Sequence, residues 1–194
     1  MELVFATHNT NKLIEVQKLV PGHIELLSLN DIDCDEEIPE TSGTIEGNAK
    51  QKAEFVFKKY QVRCFADDTG LEVEALNSEP GVMSARYAGK QKSADDNMDK
   101  LLKEMNGKTN RSARFKTVIA LCINNNTLLF EGIVTGTIIH QKKGNKGFGY
   151  DPLFIPDGYN KTFAELPLPV KNKISHRALA MEKLIQYLHN YGLK

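Results

Sequence analysis

The chain has no tryptophan, three cysteines and no excess of either charge. Cys34, Cys64 and Cys122 are widely spaced and odd in number. That argues against a disulfide framework or a zinc site and suits a reducing compartment. Lys plus Arg and Asp plus Glu number 25 each, so no overall positive field points to nucleic acid. No apolar run reaches the roughly 18 residues of a membrane span. The start, Met1-Glu2-Leu3-Val4-Phe5-Ala6, is too short for a signal peptide. The expectation is a soluble cytoplasmic protein that binds neither nucleic acid nor membrane. There is no GxxxxGKS/T run and no GxGxxG after the first apolar stretch, which argues against a P-loop ATPase and a Rossmann dinucleotide fold. GxSxG is also missing, so a serine hydrolase has little support.

What is present is a chain of 194 residues, 41% hydrophobic, enough for one sizeable domain or two lobes sharing a core. Its organising stretch is Cys64-Phe65-Ala66-Asp67-Asp68-Thr69-Gly70-Leu71-Glu72-Val73. The pattern predicts a strand over 62–66, a turn at Asp67 to Gly70 and a second strand over 71–75. Adjacent carboxylates at the end of a buried strand repel and need a cation, a basic group or a proton nearby. On a surface, Asp and Gly are ordinary turn residues. The pair is open to both readings.

Leu3 to Ala6 reads as a central strand that runs into Thr7-His8-Asn9-Thr10-Asn11-Lys12. Leu13, Ile14, Val16, Leu19 and Val20 then form a helical face, ended by Pro21-Gly22. A strand, a loop of hydroxyls and amides, and a helix start make the usual setting for an anion. Lys12 falls in the first helical turn, where the macrodipole disfavours a cation. His176 and Arg177, just after the expected cap Ser175, repeat the conflict. One anion would answer both. So would simple exposure, at about a few tenths of a kcal/mol each.

Ile24 to Leu29 is another expected strand. Asn30 to Gly43 is an acidic connector from which one carboxylate could meet Asp68 over a metal. Thr44 is expected to cap a helix running to Tyr60, with Gly47 standing where a capping box has Glu or Gln. Ser93 opens a further helix. Residues 114–123 and 128–139 read as a hairpin, with Gly132 and Gly136 marking a bulge or a close backbone approach. The hairpin makes the sheet mixed. The segment 141–152 carries three lysines and three glycines. It reads as a flexible cationic loop suited to polyphosphate, with Phe148 and Tyr150 offering a face to a flat base.

In this order, the pieces resemble the inosine triphosphate pyrophosphatase family, the Ham1- or RdgB-like hydrolases of non-standard purine nucleotides. The resemblance rests on Thr7 through Lys12, Pro39-Glu40-Thr41, Asn48-Ala49, Ala66 through Leu71, Pro80-Gly81 with Ser84 through Tyr87, Gly147 through Pro152, Ala164-Glu165 and Ser175-His176-Arg177. It implies one ITPase-like domain over 1–194, with an elongated, two-lobed α/β mixed-sheet fold of the ITPase/Maf-like type. It also implies a nucleotide cleft between the lobes and a homodimer. The implied reaction cleaves ITP, dITP or XTP between the α and β phosphorus, giving the monophosphate and pyrophosphate with Mg2+ as cofactor. Asp68 is implied as general base and magnesium ligand, and Glu40 as the second ligand. Thr7, His8, Asn9, Thr10, Asn11 and Lys12 are implied to hold the triphosphate. Thr69, Phe148, Gly149, Tyr150, Asp151, Lys171, His176 and Arg177 are implied nucleotide contacts.

Two positions depart from the family pattern: Gly47, where Glu is usual, and His8, where glycine is common. If that Glu supports the metal shell or caps the helix, the protein is either weaker for its loss or partly compensated by Glu46, and His8 either adds a phosphate contact when protonated or points to solvent. The alternatives are a nucleotide sensor without turnover and a Maf-like pyrophosphatase of different base preference.

Overall fold

The computed structural model describes residues 1–190. Its elements are β1 (Glu2–Phe5), α1 (Thr10–Gln17), β2 (Glu25–Leu27), α2 (Ile45–Tyr60), β3 (Cys64–Val73), β4 (Glu79–Gly81), α3 (Ala94–Glu104), β5 (Ser112–Ile123), β6 (Asn126–Ile138), β7 (Phe154–Pro156), α4 (Leu168–Ile174) and α5 (His176–Asn190). The strands hydrogen-bond in the order β2-β1-β3-β5-β6-β7, with β4 on β3. β1 runs parallel to β2 and β3, whereas β4 and β7 are antiparallel to their neighbours. The expected α/β mixed sheet is therefore what forms. The chain divides into two compact units, one of residues 1–68, 117–132 and 176–194, the other of 69–116 and 133–175.

In the first unit, Leu3, Phe5, Phe65, Ile119 and Leu121 of the sheet are buried with Val16 of α1 and with Ala180, Met181, Leu184 and Leu188 of α5. The last four lie at helical spacing, so α5 is held by one apolar stripe. Phe5 and Phe65 are register partners on adjacent strands, and their rings stack at 4.6 Å. The hairpin turns through Asn124 and Asn125, both left-handed at φ 50° and 61°. Asparagine tolerates that region better than most residues, and a tight hairpin requires it. Gly132 of β6 is glycine because of a close approach: a Cβ there would stand 2.0 Å from the His176 carbonyl oxygen. The start of α5 is thereby seated on β6 backbone.

α2 begins and ends where the sequence places it. The Thr44 hydroxyl accepts the Gly47 N–H at 3.0 Å, so the helix is capped without a reciprocal Glu. Gly47 itself has a steric reason: a Cβ would lie 1.9 Å from Ser42 Oγ and 2.7 Å from Ser42 Cβ. The connector serine occupies the space that a side chain at 47 would need.

The second unit is built on Leu71, Val73, Leu101, Met105, Phe115, Phe154 and Phe163. Phe154 lies 4.8 Å from Phe115 and 5.3 Å from Phe163 between ring centroids. Ser93 caps α3 by accepting the Asp96 N–H at 3.2 Å.

Four expectations are corrected. Asp67 to Gly70 is no turn but the middle of the continuous strand β3. A seven-residue helix, α4, precedes the last one and was not foreseen. α1 stops at Gln17, ahead of Pro21-Gly22, and β2 has three residues rather than six. Among the described residues, no helix is long and apolar enough to cross a membrane.

Candidate active site

Because Asp67 and Asp68 lie in an unbroken strand, their side chains project to opposite faces. The two carboxylates therefore meet different partners. Both are buried, Asp67 almost completely and Asp68 at 9% exposure.

On one face, Asp67 Oδ1 accepts Lys12 Nζ at 2.8 Å and Oδ2 accepts Arg177 Nε at 3.0 Å. The anion expected from the two misplaced cations is therefore in the chain itself. It is Asp67, and it answers both helix starts at once. Arg177 also donates Nη1 to Glu15 Oε2 at 2.5 Å. Burial pushes the Asp67 carboxyl up, but Lys12, Arg177 and Lys52 outweigh it and hold it far below the usual carboxylate range. Burial holds Lys12 below its ordinary value although Asp67 pulls the other way. Burial also opposes the charge on Arg177, and Asp67 and Glu15 more than restore it.

The loop before α1 is arranged around Asn9. Its Oδ1 accepts the N–H groups of Asn11 at 3.0 Å and Lys12 at 3.3 Å, so part of the helix start is already capped. Thr7 Oγ1 accepts the Asn9 N–H at 3.2 Å. His8 is exposed with Nε2 2.9 Å from the Glu36 carbonyl oxygen, and Thr10 and Asn11 are exposed. His8 thus has a partner in the acidic connector, beyond the two roles considered from the sequence.

On the other face, Lys52 of α2 joins two carboxylates. Its Nζ donates to Glu40 Oε1 at 2.7 Å and to Asp68 Oδ1 at 3.1 Å, while Asn48 Nδ2 lies 3.4 Å from Asp68 Oδ2. Burial pushes the Asp68 carboxyl up, and Lys52 and Lys12 offset only part of the rise. Burial opposes the Lys52 charge, but Asp68, Glu40 and Asp67 carry its pKa above the ordinary value. Glu40 and Asp68 thus converge on one cation. They are hard oxygen donors, and Mg2+ commonly takes only one or two protein carboxylates, with water and phosphate completing its shell. The residues fit that ion. Among the described residues, no group of three or more His, Cys, Asp or Glu forms a fuller metal cage.

Phe148, Gly149, Tyr150, Asp151, Lys171 and Thr69 belong to the second unit. Asp151 is buried and its Oδ2 accepts both Lys171 Nζ at 2.5 Å and the Phe148 N–H at 2.9 Å. Lys171 Nζ lies 5.1 Å from the Phe148 ring centroid, within cation–π range. The Tyr150 hydroxyl donates to the Ser84 carbonyl at 2.9 Å, and the ring is 4% exposed. Tyr150 therefore belongs to the core of this unit, whereas Phe148, Gly149 and Thr69 are half-buried. Lys142 of the cationic loop is taken up by Asp95 and Asp99 of α3 at 2.8 and 2.7 Å.

The structure thus brings together Lys12, Glu40, Asp68 and Arg177 in one unit, and Phe148, Asp151 and Lys171 in the other. His176 is buried at the start of α5. Sequence reasoning missed Lys52 and Glu15. Each sits on a helix at a position with a usable signal: Lys52 falls on the buried stripe of α2, between Ala49 and Ala53, and Glu15 lies beside Val16. A charge on an otherwise apolar face is seldom left without a partner.

A mixed α/β sheet carrying two buried carboxylates, with Lys52 shared between Glu40 and Asp68 and Lys12 at a helix start, suits the chemistry of a phosphoanhydride hydrolase. The model of the Ham1 family matches residues 3–187, and the chain belongs to that family. A dITP/XTP pyrophosphatase of Flavobacterium psychrophilum is 58% identical over 190 residues, covering 98% of this chain and all of the relative. The dITP/XTP pyrophosphatase of Bacillus subtilis is 45% identical over 191 residues, 96% of each chain. Among solved structures, the Ham1 protein of Staphylococcus aureus superposes with a TM-score of 0.90 at 38% identity, over 98% of this chain and all of that one.

Proposed function

We propose that this protein is a nucleoside triphosphate pyrophosphatase that hydrolyses dITP, XTP and ITP to the monophosphate and pyrophosphate. The observation that carries the reading is the convergence of Glu40 and Asp68 on Lys52, next to the Lys12 end of the Asp67 cluster. Two relatives spanning nearly the whole chain carry the corresponding activity in their names.

The reaction adds water at the α-phosphorus and breaks its bond to the oxygen bridging to the β-phosphorus. Asp68 takes the water proton. Burial makes its carboxylate more basic than an exposed one, and Lys52 and Lys12 keep the charged form accessible. Lys12, held below its ordinary pKa by burial, gains from an incoming polyphosphate and binds it at the start of α1. Lys52 balances negative charge on the phosphates while holding Glu40 and Asp68 in register. Glu40 and Asp68 would hold Mg2+, which when bound would neutralise charge on the phosphate oxygens and orient water. Phe148, carried on the Asp151–Lys171 support, offers a ring for stacking on the purine. A donor directed at purine O6 would favour a 6-oxo base, because the amino group of ATP would leave it unpaired. The reading includes a homodimer, which sedimentation of the purified protein would test, and a cytoplasmic location, which cell fractionation would test.

The test of function is pyrophosphate release from dITP, XTP, ITP, ATP, GTP and dTTP with magnesium, beside Asp68→Asn. Release is expected from the first three, with the variant slower by about 100-fold or more. Binding of XTP without release would make the protein a sensor, and preference for dTTP would place it with the Maf-like enzymes. Either result overturns the reading.

A further inference from the structure

We infer that Asn48 is a positioning residue for this reaction, one that fixes the plane of the Asp68 carboxylate. The inference rests on the pyrophosphatase reading above, in which Asp68 takes the water proton. Asn48 and Lys52 lie four residues apart on α2, so their side chains share a face. Each reaches both β3 and the acidic connector. Lys52 Nζ donates to Asp68 Oδ1 at 3.1 Å and to Glu40 Oε1 at 2.7 Å. Asn48 Nδ2 donates to Asp68 Oδ2 at 3.4 Å, and Asn48 Oδ1 accepts the Ser42 N–H at 2.9 Å. The two oxygens of Asp68 thus meet different donors from one helix face.

An amide suits position 48 for a chemical reason. The side chain accepts from a backbone N–H and donates to a carboxylate at once, whereas Lys carries only donors and an ionised Asp or Glu only acceptors. The Ser42 N–H also decides which way the amide points. Its oxygen has to meet that donor, so its nitrogen faces Asp68. Lys52 does not supply the same constraint. Its ammonium is a compact charge on a flexible stem with three rotatable donors, and it follows the carboxylate as the carboxylate turns. The Asn48 amide is short and planar, it is 1% exposed, and backbone anchors its other end. It therefore opposes rotation about the Cβ–Cγ bond of Asp68. The 3.4 Å separation is long for such a bond, and contacts of this kind tighten when substrate arrives. Each carboxylate oxygen has about two lone-pair sites, so Oδ2 keeps room for the water proton. Asn48 itself touches no substrate in this scheme.

The test is steady-state pyrophosphate release from dITP by wild type, Asn48→Leu, Asn48→Gln, Asp68→Ala and the double variant Asn48→Leu/Asp68→Ala, with the folded fraction of each measured by thermal unfolding. Leu has nearly the shape of Asn and makes neither hydrogen bond. Per folded molecule, Asn48→Leu is expected to lower kcat by about 10- to 100-fold, the size of effect that an ångström-scale misplacement produces. KM for dITP is expected to stay within about threefold, because Lys12 still holds the phosphates. Asn48→Gln, which keeps the amide, is expected to recover part of the loss. In the Asp68→Ala background, Asn48→Leu is expected to cost less than about threefold in residual turnover, because no carboxylate remains to be oriented. The unfolding midpoints read the same coupling without turnover: Asn48→Leu should lower the midpoint less in that background. A merely structural role would lower the midpoint and leave kcat per folded molecule intact, or would cost turnover equally in both backgrounds. Either outcome overturns the inference, as does a raised KM with kcat unchanged. A wild-type protein that releases no pyrophosphate from dITP, XTP or ITP sinks the pyrophosphatase reading, and this inference with it.

Discussion

Neutralising Asp67 tests the electrostatic core of the first unit most directly. Asp67→Asn keeps the shape of the side chain and removes the anion shared by Lys12 at 2.8 Å and Arg177 at 3.0 Å. Removing one partner of a buried ion pair costs about 3–5 kcal/mol. The Asn oxygen still accepts one hydrogen bond and Glu15 still holds Arg177, so the lower end, about 3 kcal/mol, is the expected loss. For a chain of this size, each kcal/mol shifts the midpoint by about 2–4 °C, which gives a fall of roughly 6–12 °C at neutral pH. The pH dependence follows from the direction of the shift. The folded pKa of Asp67 is depressed, so between its folded and unfolded values the unfolded chain binds the extra proton. Stability contributed by Asp67 is therefore fully present above the ordinary aspartate value and shrinks as pH falls through it. Urea unfolding of both proteins from pH 7 to pH 3 should show a gap that is constant at the neutral end and narrows below about pH 4. A gap under about 1 kcal/mol at pH 7, or one that does not change with pH, would refute the assignment of Asp67 as the buried anion of the cluster.

Two further outcomes follow from neighbouring residues. Asp68 has the opposite sign: its folded pKa is raised by burial, so its charge costs stability above that pKa and the cost is relieved as pH falls through it. Asp68→Asn should thus unfold within about 1 kcal/mol of wild type, or later, at pH 7 while losing turnover. A loss as large as that for Asp67→Asn would contradict this. Gly47→Ala should destabilise by about 1–3 kcal/mol, because its Cβ meets Ser42. With Ser42→Gly already in place, the same change should cost clearly less, because only the 2.9 Å approach to the Thr44 hydroxyl remains. Equal effects in the two backgrounds, read by thermal unfolding, would show that Ser42 is not the obstacle.

Local chemistry made much of this structure legible in the chain. Thr44 and Ser93 start their helices where hydroxyls precede apolar periodicity, and the stripe from Ala178 to Leu188 runs along α5 as its spacing requires. The hairpin and its two close-approach glycines were readable for the same reason, since only glycine leaves room for another backbone at 132 and 136. What was not legible depended on tertiary partners. Asp and Gly together look like a turn, yet Asp67 to Gly70 stays extended because buried cations outweigh the local preference. α4 has Pro167 and Pro169 at its start and too few residues to show a period. Glu15 and Lys52 carried no motif, because their partners lie 162 and 16 residues away.

The lysine and arginine at two helix starts show how a correct local conflict leads to an incomplete conclusion. Each cation is misplaced with respect to its own helix, and the need for an anion is real. A ligand and a side chain satisfy that need equally well, and a sequence read one segment at a time does not tell them apart. Strand geometry makes the difference. A turn at Asp67 and Asp68 would leave both carboxylates together in solvent. An extended chain sends one to Lys12 and Arg177 and the other to Lys52 and Glu40. The first becomes a strongly ionised anchor, while burial keeps the pKa of the second raised. Two identical neighbouring residues thus take different protonation chemistry from the period-two alternation of a strand, and the division of labour disappears if either is shifted by one position.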